Sequence, residues 1–278
     1  MKKILSLFCV LFLLPANAGA QAERIVSVDG AVTEIIYALG EEGRLAGVDT
    51  TSVFPESVHR FPKVGYKRAL SAEGILSLSP DLVIATAAAG PPAVLKQIEE
   101  AGVKLVRLPE EHSLEGIYAK VTGVAEAIGV PEKGAKLVEE IKQQAAAALA
   151  KAEGGARPKV LFVFHAATGS PLVAGTHTAA DAMIKYAGGD NVVKQFEGYK
   201  PLNPEFLAEA DPEILLTTDM VLDTLGDIEA FKGLPGISLT RAARENHVVV
   251  MNTMYLLGFT PRTPQAIGEL SELLNSTP

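Results

Sequence analysis

Few residues in this chain of 278 are of types that do chemistry alone, and their spacing excludes most of what they could do. The five histidines, His59, His112, His165, His177 and His247, are scattered, and no two lie four apart as in a helical metal site. His177 and Asp181 are four apart, but a histidine beside a helix start reads as a cap or surface residue. The one cysteine, Cys9, lies in an apolar leader, so the mature chain has no thiol nucleophile. There is no G-x-S-x-G, P-loop, G-x-G-x-x-G or H-E-x-x-H. What recurs instead is Gly-Tyr-Lys, at 65–67 and again at 198–200. Taken alone, that triplet reads more readily as a tyrosine packed at a loop edge than as a ligand.

The triplet heads a longer repeat. GYKRALSAEGILSLSPDLVIAT at 65–86 aligns with GYKPLNPEFLAEADPEILLTT at 198–218, without a gap from Leu70 and Leu202 onward. Each copy reads as loop, short helix, Pro turn and buried strand. Ser71 and Asn203 are N-cap types, and Glu73 and Glu205 fall in the first turn, where the helix dipole favours them. The apolar runs at 82–85 and 214–216 predict parallel strands covered on both faces. Such sheets bind ligands beyond the carboxyl ends of their strands. Two copies therefore predict two similar lobes whose ligand edges face a common cleft.

Lys2, Lys3 and the 11-residue, largely apolar stretch Ile4 to Leu14 precede Ala18-Gly19-Ala20, the pattern of an export signal cleaved before Gln21. Phe8 before Cys9 argues against lipid attachment. Without the leader, 23 basic residues face 33 acidic ones, a balance that disfavours nucleic acid and anionic membrane as partners. The reading is a signal peptide at 1–20, an α/β lobe at 21–130, a bridging helix at 131–155 and a second α/β lobe at 156–278. Strands are expected at 24–28, 45–48, 103–108, 159–164 and 247–251. Helices are expected at 32–39, 93–101, 114–128, 178–187 and 263–274, most closed by Gly, with short helical pieces at 228–231 and 239–244. Pro131 to Ala152 opens on Pro, has no Gly after Gly134 and is rich in Ala, Lys, Glu and Gln. It predicts a stiff helix on the order of 30 Å long.

Four segments carry a family resemblance: Val64 to Gly74, Ala174 to Ala182, Gly198 to Leu202 and Tyr255 to Arg262. They resemble the haem-carrying branch of the class III substrate-binding proteins of ABC importers. The resemblance extends over Arg24 to Leu274. It implies two Rossmann-like lobes bridged by one long helix, with the ligand in the cleft between them. It implies a periplasmic monomer, not an enzyme, that partners ferric haem and an inner-membrane ABC permease complex. Tyr66 matches the branch's axial iron ligand, which suits a phenolate. Lys67 and Arg68 would lower the phenol pKa and pair with haem propionates. His165, at the end of a strand, matches a histidine that ligates iron in some members, in at least one case with two stacked haems. Tyr199 mirrors Tyr66; Tyr255, Phe259 and Arg262 are expected as wall and propionate contacts, although Arg262 precedes a helix and could equally cap a carboxylate there. Some members use a second-lobe Arg beside the ligand Tyr; this chain has Met220 near that place. Glu73 and Glu205 match the paired carboxylates that dock on the permease.

Other readings remain at this point. A ferric siderophore or cobalamin carrier would use Lys67 and Arg68 without Tyr66 as ligand. A zinc or manganese carrier would need converging His and carboxylates. An exported haem-modifying enzyme would need a nucleophile–base pair or a redox partner, which the sequence does not display.

Overall fold

The first strand, β1 (Ile25–Val28), is buried at every position, and so is β3 (Leu82–Thr86). Burial on both faces is what a parallel sheet covered by helices requires. The computed structural model describes residues 22–164, 171–201, 207 and 210–277. With β2 (Leu45–Val48) and β4 (Lys104–Leu108), these strands form an all-parallel sheet in the order β2-β1-β3-β4.

The second sheet is built on β5 (Lys159–Phe164), β7 (Asp190–Asn191), β9 (Ile214–Thr218) and β10 (Val248–Met251). β7 and β9 flank β5 and β10 flanks β9, all parallel. Numbered in chain order, the parallel strands of both sheets read 2-1-3-4. The repeat seen in the sequence is thus a repeat of topology, with a switch point beyond the carboxyl ends of β1 and β3 and another beyond β5 and β9.

The expected helices stand at α1 (Gly30–Ala38), α3 (Pro92–Glu100), α4 (Leu114–Ala127), α5 (Pro131–Ala152) and α6 (Ala179–Tyr186), and at the last helix, Thr263–Ser276. α1 starts two residues earlier than its apolar pattern, because Asp29 is its cap: the carboxylate accepts from Ala31 N at 2.8 Å. In the first repeat, α2 (Ala72–Leu76) is capped by Ser71, whose Oγ accepts from Gly74 N at 3.3 Å. In the second, Asn203 and Glu205 lie outside the described residues. Leu207, the counterpart of Ile75, is fully buried as Ile75 is.

Two expectations are corrected. Gly198-Tyr199-Lys200 is not a loop: β8 (Tyr199–Pro201) pairs antiparallel with β6 (Leu172–Ala174), which itself pairs antiparallel with the end of β5. Three-residue strands are too short to show an alternation. α7 (Asp219–Leu225) follows β9 directly and a short helix at Thr253–Leu257 follows β10 after its cap Asn252, two segments to which the sequence reading assigned no element. The expected helical piece at 239–244 divides into a 3-10 turn at Ile237–Leu239 and a short helix at Arg241–Arg244, with Thr240 between them as the cap.

The 22-residue α5 places Gly134, Ile141, Ala145, Ala148 and Ala152 on its buried face. Gly134 is required there, since a Cβ would lie 2.3 Å from that of Ala125 on α4. One apolar core joins α4, α5 and the last helix to strands of both sheets. No helix among the described residues is long and apolar enough to cross a membrane. A shared core resists hinge bending. Solution scattering of free and ligand-loaded protein should therefore superpose closely. A rotation of tens of degrees between the two curves would contradict a stiff bridge.

Candidate ligand-binding cleft

A cavity of about 830 Å³ opens between the carboxyl edges of the two sheets. From the first lobe it is lined by Asp29 after β1, Thr50 and Thr51 after β2, Thr86 at the end of β3, and Glu110 and His112 after β4. The loop Tyr66-Lys67-Arg68 stands beside them. From the second lobe come Phe164 at the end of β5, Asp219 and Met220 after β9, Asn252 to Met254 after β10, and Tyr199 on β8. Apolar area is contributed by Val53, Phe164, Leu172, Met254 and Leu257.

Tyr66 is 44% exposed and faces this cavity. Its loop turns on Gly65, which adopts a φ of 97° and accepts from Thr50 N at 2.9 Å. Arg68 lines the cavity, is exposed and makes no ion pair among the described residues. Tyr199 also lines it, with its ring braced edge-on against Phe162 at 6.3 Å and tilted on Phe164 at 6.0 Å. Burial of its hydroxyl beside Ala180 and Thr178 raises its pKa, although those two neighbours oppose the shift by hydrogen bonding.

The remaining expected residues are placed differently. Lys67 reaches the cavity, but its ammonium is taken by Asp29 Oδ2 at 2.6 Å and Glu110 Oε1 at 3.1 Å. Burial opposes its charge; the two carboxylates outweigh burial and raise its pKa. A doubly neutralised ammonium is not a free cation for a propionate, which corrects that role. Tyr255, Phe259 and Arg262 do not line the cavity, and Phe259 is buried in the core. Arg262 crosses to the first lobe and grips the Glu34 carboxylate with Nε at 2.8 Å and Nη2 at 2.6 Å. Its guanidinium lies over Phe54 at 3.7 Å and beside the Tyr255 ring at 5.0 Å. The reason is the burial of Glu34, 5% exposed on α1, which demands a counter-charge. His165 and Glu205 lie outside the described residues. Glu73 is exposed in the first turn of α2.

Several groups in the cleft were not expected from the sequence. Asp29, which holds a φ of 141°, and Glu110 are joined by Thr86 Oγ1, at 2.9 and 3.4 Å. Lys120, 3% exposed, donates to Phe259 O in the other lobe at 2.7 Å. Burial lowers its pKa, against the pull of Asp29 and Glu110. The His112 ring leans on Phe259 at 5.3 Å. Asp29, Asp219 and Asn252 each directly follow a parallel strand, and Glu110 follows one after a single residue. The strand-end rule, applied to every strand, would have marked them.

Asp219 accepts from Thr253 Oγ1 at 2.6 Å, Asn252 Nδ2 at 2.6 Å, Met220 N at 2.8 Å and Thr253 N at 2.9 Å. Burial alone would raise its pKa; the four donors outweigh burial and hold it low. A lowered carboxyl pKa stabilises the fold above the unfolded value of about 4 and ceases to as pH falls through the folded value. Denaturation at pH 7 and at about pH 3 should show the native protein losing more stability than Asp219→Asn. Equal losses would mean that this carboxylate carries no acid sensitivity.

Comparison with known proteins follows the same outline. A family model described as periplasmic binding protein matches residues 25–254. The chain is similar to the solved periplasmic heme-binding protein BhuT in complex with two hemes, at 42% identity over 91% of this chain and 98% of that one, with a TM-score of 0.87. It is similar to the apo form of the periplasmic heme-binding protein RhuT from Roseiflexus sp. RS-1, at 40% identity over 92% and 99% of the two chains and a TM-score of 0.89. A curated relative, the vitamin B12-binding protein of Vibrio parahaemolyticus, is 29% identical over 99% of this chain and 98% of its own.

Proposed function

This chain belongs to the periplasmic binding protein family, and from that premise we propose that it captures ferric haem in the periplasm and delivers it to an inner-membrane ABC permease. The observation that carries the haem reading is Tyr66, an exposed phenol on the wall of an apolar cavity between two lobes. Likeness to two haem-binding proteins at 40% identity or more over nearly the full chain supports it. In this reading Tyr66 binds the ferric ion as phenolate, a hard anion suited to a hard cation. Phe164, Leu172, Leu257 and Tyr199 cover the porphyrin. Arg68, free at the rim, takes a propionate in bidentate fashion. His165 makes a second contact from the other lobe. Glu73 and Glu205 dock the loaded lobes on the permease. The role is carriage without turnover.

Ferric haem titrated into mature protein from Gln21, followed by absorbance, tests the reading. Cobalamin and a ferric siderophore are titrated in parallel. Saturable binding of haem alone, with an end point at one or two equivalents and stable absorbance under reductant, is the expected result. Saturation by cobalamin and not by haem would replace the reading with that of the vitamin B12-binding relative. Loss of the haem absorbance under reductant would mean turnover.

A further inference from the structure

Tyr66 is 44% exposed on the cavity wall, and a metal ligand there must be held in place to bind well. Lys67 sends its ammonium into the floor of the first lobe, where its side chain is only 15% exposed, between Asp29 and Glu110. Both carboxylates are themselves fixed. Asp29 caps α1 through Ala31 N and accepts from Thr86 Oγ1. Glu110 accepts from Ala88 N at 2.9 Å. The Lys67 carbonyl accepts from Gly90 N at 2.9 Å and the Tyr66 carbonyl from Ala69 N at 2.8 Å. The loop is thus tied by main chain and by one charged side chain to the ends of β1, β3 and β4.

We propose that Lys67 is a positioning residue for Tyr66: clamped between Asp29 and Glu110, it fixes the loop that presents the phenol and so sets how long bound ferric haem is retained. This rests on Tyr66 as the iron ligand. It also assigns the cationic contact from this loop to Arg68 alone.

The test measures release of ferric haem from loaded protein to excess apomyoglobin, together with the visible spectrum of the loaded form. Lys67→Met keeps the length of the stem and removes the charge and donors. It should release haem roughly tenfold faster, the scale of losing a partner outside the ligand itself. Its tyrosinate bands should weaken. Asp29→Asn and Glu110→Gln keep an acceptor but lose the ionic clamp; both should show smaller changes of the same kind, and they carry the test if Lys67→Met does not fold. Haem dimethyl ester, which has no free propionate, separates the two roles of Lys67. A clamp leaves the ratio of variant to native release rates unchanged with the ester, whereas a propionate contact reduces that ratio to one. Native spectrum and native release rate in the folded variants would overturn the clamp, provided Tyr66→Ala has lost both. If Tyr66→Ala retains the native spectrum, the ligand reading fails and takes the clamp with it.

Discussion

Tyr66→Ala and Tyr66→Phe are both expected to lose at least roughly 100-fold in ferric haem affinity, while folding as the native protein does. Changing a group that merely supports a metal ligand costs about 10–100-fold, so removing the ligand atom costs that much or more. The pairing of variants matters. Phenylalanine keeps the ring and its packing on the cavity wall and removes only the oxygen. If the oxygen binds iron, Phe is as damaging as Ala, and the tyrosinate bands vanish in both. If the ring merely covers porphyrin, Phe binds haem as the native protein does, and the ligand role is lost. Tyr66 is 44% exposed, so neither variant should shift unfolding by more than about 0.5 kcal/mol. A binding defect with unchanged stability is therefore the expected signature.

Arg262→Ala is expected to destabilise the protein by about 3 kcal/mol. The pair with Glu34 is bidentate and joins the lobes, and Glu34 is 5% exposed while Arg262 is 26% exposed. Breaking a buried ion pair from one side leaves the other charge without compensation and costs about 3–5 kcal/mol; the partial exposure of Arg262 favours the lower end. Its stacking over Phe54 is lost as well. Urea denaturation of Arg262→Ala, Glu34→Gln and the double variant measures this. The double variant should be more stable than the sum of the single losses predicts, because the uncompensated charge is gone. Additive losses, or a loss below about 1 kcal/mol in Arg262→Ala, would show that water screens the pair. The same seam holds Lys120 on Phe259 O and His112 on the Phe259 ring, so it fixes the angle between the lobes around the cavity.

Local signals were legible in this chain because their causes are local. Pro131 at the first helical turn and the glycines after Glu153 bound α5, and both of its ends agree with the reading. The β5 bounds agree as well, since KVLFVF is apolar and flanked by breakers. Two lobes with facing strand ends followed from the repeat alone. Within the cleft, Tyr66, Arg68 and Tyr199 line the cavity, because each stands in or beside the repeated segment that ends at a sheet edge. The family resemblance supplied the ligand; composition and spacing did not.

Only the tertiary structure decided which charges meet. Arg262 finds Glu34 across 228 residues, Lys67 finds Asp29 across 38 and Glu110 across 43, and Lys120 finds a carbonyl across 139. A cation in a sequence carries no mark of which of many carboxylates it will face, because the choice is made by burial: Asp29 and Glu34 are 4% and 5% exposed and must be neutralised where they are. That demand makes Lys67 and Arg262 internal partners, and leaves Arg68 as the cation of the Tyr66 loop that makes no ion pair among the described residues.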